Sequence, residues 1–434
     1  MTPLPAPVLS EAAAALCFFC VLLIPCALGG LALINAGLGR SRNVAHSLLS
    51  ALSVVALAGV TYFAIGFARQ GYPGGPARVF WAAGKAWNWI GSERFLLRGI
   101  DFDASPCSLA VMFGMFAVGL AALIPLGAAA GRWRLGASCA STVLLAGLTY
   151  PLFAHWVWGG GWLAQLGVNF NLGRGFIDSG GASSIQAVGG LTALAITWIL
   201  GPRRGKYRPE GPPAASPAHN AVFVLFGCFL AWLGYMGLDC AGAILFTGVT
   251  AGRASLIPVN ATLSAASALL AAVGITHARF GKADASLCAN AWVGGLVAAS
   301  AGCAVIRPAG AVLIGLFGGA LVVFSVEWLE LHFKVDDPGG AISVHGLGGL
   351  WGVLAVGLFT QASGTQSGPD QWMAQVVGMA TLIGFVLPLT YGLNWLLNRF
   401  LPQRVAPEGE RQGLDLYELG AGAYPDAMTH TDDY

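Results

Sequence analysis

Apolar runs of about 17 to 25 residues, the length a helix needs to cross a hydrocarbon slab, recur along the whole 434-residue chain with short polar breaks between them. They predict eleven spans, near 10–37, 45–68, 107–130, 135–158, 184–201, 219–238, 255–277, 286–304, 309–331, 341–361 and 374–400. Beyond them the chain turns polar. The expected organisation is a transmembrane domain over 1–400 and a cytoplasmic tail over 401–434. The first run lacks the basic flank of a secretory signal peptide and reads as a retained span.

One pattern is written twice. Asp178 to Gln186 (DSGGASSIQ) is matched by Asp337 to His345 (DPGGAISVH), and three positions later each copy reaches a Gly-Gly-Leu step, at Gly189 and at Gly348. Each Asp stands where a helix N-cap is expected, and Pro338 takes the first helical position, where proline is tolerated. Asp178 and Asp337 are therefore predicted as structural caps rather than ligands. The copies open the fifth and tenth spans, an odd number of steps apart, so they run in opposite directions. The predicted fold is an all-α polytopic membrane protein: eleven transmembrane helices with an inverted five-plus-five repeat, its halves near 10–201 and 219–361 and a last helix over 374–400. A residue eight positions past a cap lies about 12 Å along its helix. Gln186 and His345 thus approach the middle of a slab about 30 Å thick from opposite faces. Polar groups at that depth are costly, which marks the two as a functional pair.

Composition agrees with the span count. Hydrophobic residues make up 56% of the chain and charged residues 10%, and mean hydropathy is +0.70, outside the range of soluble domains. Sixty-two glycines suit helices that pack closely where lipid supplies no hydrophobic drive. With the N-terminus outside, fourteen of the 22 Lys and Arg residues fall on the cytoplasmic side and eight outside, which supports N-out, C-in insertion in the cell membrane. Seven of the nine cysteines sit within apolar runs, and only Cys107 and Cys240, near span ends, are placed to pair.

The residues resemble the ammonium transporter family (Amt/Mep/Rh), on the Amt side. The likeness covers nearly the whole chain: Asn35 to Asn43 (NAGLGRSRN), Tyr150 to Gly161 (YPLFAHWVWGGG), the Asp178 cap, Val335 to Pro338, Val344 to Gly346, and Arg404 to Leu416 in the tail. The resemblance implies a homotrimer whose protomers each conduct ammonium through a narrow pore, with a cytoplasmic face open to a nitrogen-sensing regulatory protein of the PII class. It also implies an outer cation site built on a tryptophan, here Trp158. Trp156 and Trp162 read instead as interface-belt anchors. On the sixth span Tyr235 takes the position of a gate phenylalanine, Met236 replaces an asparagine, and Asp239 stands where a serine is usual. A second gate ring is expected from Phe113 or Phe116, although an ungapped match puts Ala117 there. Asp239 predicts stronger cation binding than serine gives, and its bland reading is a solvated carboxylate at the membrane surface.

The resemblance places two histidines at the pore centre, and this chain keeps only His345. Gln186 donates and accepts hydrogen bonds but does not titrate, so it is expected to fix the His345 tautomer and to move transport away from coupled proton flow. His155 reads as a packed residue, while His46, His219, His277, His332 and His430 fall at span ends or in the tail. Glu327 and Glu330 are expected to pair with basic neighbours. No metal-ligand spacing, phosphate-binding loop or nucleophile motif is visible, so no cofactor, metal, nucleic acid or enzymatic activity is predicted, nor ATP coupling. Two alternatives stand beside ammonium transport: carriage of a methylated or guanidinium-like cation, and a membrane ammonium sensor acting through the tail.

Overall fold

The computed structural model describes residues 8–208, 211–214, 217–362 and 369–424. His430 and the last ten residues lie outside them. Among the described residues, ten helices are long and apolar enough to cross a membrane. They are α1 (Glu11–Leu38), α2 (Ser41–Gln70), α3 (Pro106–Ala128), α4 (Leu135–Val157), α5 (Ala182–Leu200), α6 (Ala221–Thr247), α7 (Ala251–Phe280), α9 (Pro308–His332), α10 (Ile342–Thr360) and α11 (Asp370–Phe400). The shorter apolar helix α8 (Ala285–Ser300) occupies the place of the predicted eighth span.

Small residues set the packing. α1 lies against α6 where Gly30, Gly227, Gly234 and Gly237 bring backbone against backbone. α5 and α10 cross head to tail, the first turns of each against the later turns of the other. A side chain at Gly190 would strike the backbone of Gly346, so the two helices meet without an intervening layer.

The segment between α2 and α3, for which the span pattern makes no prediction, carries an antiparallel hairpin, β1 (Ala77–Ala82) and β2 (Lys85–Gly91). Its two-residue turn, Ala83 and Gly84, holds both φ angles positive (51° and 71°), the geometry that matches strand twist. Trp89 packs its ring 4.8 Å from that of Trp156, whose Nε1 donates to the Trp89 carbonyl at 2.7 Å. Trp156 is consequently buried among rings rather than seated in an interface belt. His155 is a packed residue as expected, its ring nitrogens 2.6 Å from the Gln70 carbonyl and 2.9 Å from Asn88 Oδ1.

The helix ends beside the tail are tied by charge. Arg203 grips Asp336 at 2.9 and 2.8 Å, and Arg132 donates to the Asp336 carbonyl at 2.6 Å. Burial pushes the Asp336 carboxyl up, but the Arg203 bonds and the Arg132 charge outweigh it and hold the group down at about 2. Glu327 pairs with Arg279 and Glu330 with Lys206, each at 2.7 Å. The tail helices α12 (Pro407–Gln412) and α13 (Leu414–Leu419) fold back on this end. Asp415 accepts from the amides of Ala45 and His46, and Glu418 meets His46 Nε2 at 2.8 Å and the Leu135 amide at 3.0 Å. The cysteine expectation fails: all nine are free, and the Cys240 thiol faces the Ala254 carbonyl, not Cys107.

Candidate functional site

The two Asp-Gly-Gly segments build the centre of the molecule, though the helices begin later than the sequence suggests. Asp178 and Asp337 stand four and five residues ahead of Ala182 and Ile342, with a glycine turn between cap and helix. Pro338 therefore lies in that turn and not at the first helical position. Gly181 (φ 100°) and Gly340 (φ 66°) take the left-handed conformation that lets each chain double back over its own carboxylate. Asp178 accepts from the amides of Gly181, Ser183 and Ser184 at 2.8 to 2.9 Å and from the Ser183 hydroxyl at 2.5 Å. Asp337 accepts from Ala341 and Ile342 at 3.0 and 2.7 Å. Both carboxylates satisfy helix-start amides that water cannot reach. The first turns of both helices are wide, π-type turns, over Ala182–Ala187 and Ile342–Leu347. Such turns displace a side chain from regular helical register.

From these turns Gln186 and His345 project to one point. His345 Nδ1 lies 2.7 Å from Gln186 Oε1, with both residues buried. An amide oxygen only accepts, so Nδ1 carries the hydrogen and Nε2 keeps its lone pair. That Nε2 makes no hydrogen bond among the described residues, and the Gln186 amide nitrogen has none either. The contact leaves one acceptor and one donor available to a small polar species.

Toward the other side, Trp158 stacks on Phe246 with ring centres 4.7 Å apart and planes 8° from parallel. Phe113 meets both edge-on, at 5.6 and 5.4 Å. Phe113 is thus the third-span ring at this cluster, whereas Phe116 joins none of these contacts and packs as a partly buried core residue. The Trp158 Nε1 donates to the Asp178 carbonyl at 2.7 Å, which locks the indole to the repeated segment. Trp158, Phe246 and Asp178 line an open cavity of about 470 Å³. A cation over these faces would gain about 0.5 to 2 kcal/mol from the ring quadrupoles.

Asp239 and Tyr235 lie below the rings rather than among them. Asp239 precedes Phe246 by two helical turns, about 10 Å along α6. It is fully buried, so the reading of a solvated surface carboxylate does not hold. Its carboxylate lies against Gly180 and beside Ser300, whose hydroxyl donates instead to the Leu296 carbonyl. Among the described residues neither Asp239 oxygen has a hydrogen-bond partner, and the buried hydroxyls of Tyr235, Ser179 and Ser343 have none either. The Tyr235 hydroxyl stands beside both Asp239 and Gln186. Unsatisfied buried groups are rare because each costs about 1 to 3 kcal/mol. Among the described residues, Asp239, Tyr235 and Gln186 are thus buried neighbours with unmet hydrogen-bonding capacity.

Two residues beside the candidate site escaped sequence reasoning. Phe246 replaces Tyr235 in the ring cluster, and Ser300 flanks Asp239. The signal for Phe246 was there, since Asp239 and Phe246 are seven residues apart and share a helix face. Ser300 carried no local mark.

The class defined by this fold and site is a polytopic membrane transport protein, not an enzyme. The chain belongs to the Ammonium Transporter Family, whose description it matches over residues 14–424. It is 34% identical to the ammonium transporter Amt2 of Archaeoglobus fulgidus, covering 95% of this chain and 87% of that one. It is 32% identical to an ammonium transporter of Bacillus subtilis, covering 95% and 98%. Among solved structures it resembles a "Sensor Amt Protein" at a TM-score of 0.84 and 28% identity, covering 94% and 98%. Candida albicans Mep2, at 0.79 and 20% identity over 98% and 93%, shares the fold.

Proposed function

We propose that this protein conducts ammonium across the cell membrane as a channel-like transporter without ATP coupling. In this reading the N-terminus is outside, the tail is cytoplasmic, and protomers assemble as a homotrimer with a face for a PII-type regulator. Trp158, Phe113 and Phe246 receive the cation, Asp239 draws it below the rings, and Tyr235, Gln186 and His345 line the middle of the path. The observation that carries the reading is the unpaired, fully buried carboxylate of Asp239 directly beneath the ring cluster. The attraction belongs to its ionised form, which a cation at that depth would stabilise against the cost of burying an unpaired charge.

Gln186 shapes the mechanism. Bare ammonium in an apolar tube meets a desolvation barrier of several kcal/mol, and one escape is to leave the proton outside and relay it through titratable rings. With one ring, His345, the relay lacks a second station, so cation movement is uncoupled from proton transfer through the pair. Reconstituted protein on a solid-supported membrane tests this: a proton current equal to that of a two-histidine relative would overturn it. Uptake of labelled methylammonium and guanidinium beside ammonium separates the alternative substrates. A second reading, ammonium sensing, draws on the likeness to the solved "Sensor Amt Protein" and on a deep carboxylate suited to retaining a cation. Tight binding with no flux in liposomes would favour it.

A further inference from the structure

The tail-facing end of the molecule is crowded with cations, and several of them hold acceptors. Arg203 and Arg132 hold Asp336, Lys206 holds Glu330, and Arg404 holds Glu410 together with the carbonyls of Leu200 and Pro202. Arg204 stands 3.8 Å from Glu410, and Arg42 donates to the Glu410 carbonyl at 3.3 Å. Arg40 has no such acceptor: half-buried between α1 and α2, its side chain makes no hydrogen bond or ion pair among the described residues, while its carbonyl accepts from the Asn43 amide at 3.0 Å. Burial lowers its pKa, and the nearby charges of Arg203 and Arg42 lower it further, against opposing pulls from Glu410 and Asp336 that are already engaged elsewhere.

Arg40 borders a partly open cavity of about 30 Å³ with a mixed lining, shared with Asn35, Asn43, His46, Arg203 and the apolar Leu126 and Trp133. Asn35 is 5% exposed, and its amide nitrogen has no partner. A buried amide donor and an unanswered guanidinium on one cavity call for an acceptor. The space holds about two water-sized particles, enough for a monatomic anion and too little for a phosphate group. A cation would meet the Arg40 and Arg203 charges.

We propose that this cavity binds one small monovalent anion of chloride size, held by the Arg40 guanidinium and the Asn35 amide. The site lies on the opposite side of the pore pair from the ring cluster and takes no part in the conduction path. Its wall includes His46, the residue whose amide and ring receive Asp415 and Glu418 of the tail. Occupancy therefore steadies the seat on which the tail rests.

The test is thermal unfolding of the full-length protein in detergent, in sodium chloride or bromide against sodium gluconate at equal ionic strength. A saturable rise of about 3 °C or more with either halide is expected. Arg40→Gln and Asn35→Ala should abolish the rise, and Arg42→Gln should keep it. Equal melting temperatures in all three salts, or an undiminished halide response in both cavity variants, would overturn the proposal. Should those variants fold poorly, bromide soaked into wild-type crystals decides the matter. An anomalous peak in the cavity supports the site, and density there without one means water and overturns it.

Discussion

The two copies of the repeated segment share a backbone and differ in their surroundings. The first copy faces Asp239, a carboxylate with nothing bonded to it, and opens beside Trp158 into a cavity of about 470 Å³. The second follows Asp336, whose charge is consumed by Arg203 and Arg132, and its turn is pinned by a hydrogen bond from Gly339 to the Gly127 carbonyl. One end of the repeat thus leaves its electrostatics unspent, and the other neutralises them. An inverted repeat supplies symmetric helices, while the residues packed around it decide which end attracts a cation and which serves as a staple.

The staple should yield the largest effect. Asp336→Asn leaves Arg203 and Arg132 buried without a counter-charge and is expected to cost about 3 to 5 kcal/mol, read as a lower melting temperature. Because the folded carboxyl sits at about 2, below the ordinary value near 3.9, its contribution is fully present above about pH 4 and is lost as pH falls through about 2. The variant should lack that acid-sensitive component.

At the other end, Asp239→Asn keeps the shape and removes the charge. About 3 kcal/mol of lost attraction corresponds to roughly a hundredfold weaker apparent ammonium affinity, with little change in melting temperature. An unchanged affinity in uptake assays would mean that the carboxylate is not part of the path. The caps sharpen the contrast further: Asp178→Ala removes four hydrogen bonds and Asp337→Ala two. The first should cost about 3 kcal/mol and the second about half of that, and the reverse order in denaturation would contradict the geometry. The smallest effect belongs to Gln186→His, expected to leave stability within about 1 kcal/mol while adding proton-coupled current.

The spans, the repeat and the Gln186–His345 contact were legible because each rests on local regularity: apolar run length, cap residues, and fixed spacing from cap to pair. The ring cluster was only half legible. Trp158 came from motif position and Phe113 was one of two third-span candidates beside an ungapped match to Ala117, but the assignment of Tyr235 to the rings ignored how far down α6 it stands, and Phe246 at the helix end was overlooked. The start of α5 and α10 was misjudged because an Asp followed by two glycines caps across a turn rather than directly. The tail clasp was invisible, since it joins residues 283 or more positions apart. The hairpin had its signals, the β-branched and aromatic residues Val79, Phe80 and Trp81 and a glycine at Gly84, but the apolar spans on either side outweighed them.

Asp415 caps α2 from 370 positions away in the chain. A stop codon placed ahead of it would bare two amides at the start of a transmembrane helix and release His46 in the same stroke. Tags and fusions joined after Tyr424 leave that cap in place. Any truncation meant to probe regulation also alters the membrane domain itself, and its phenotype belongs to both.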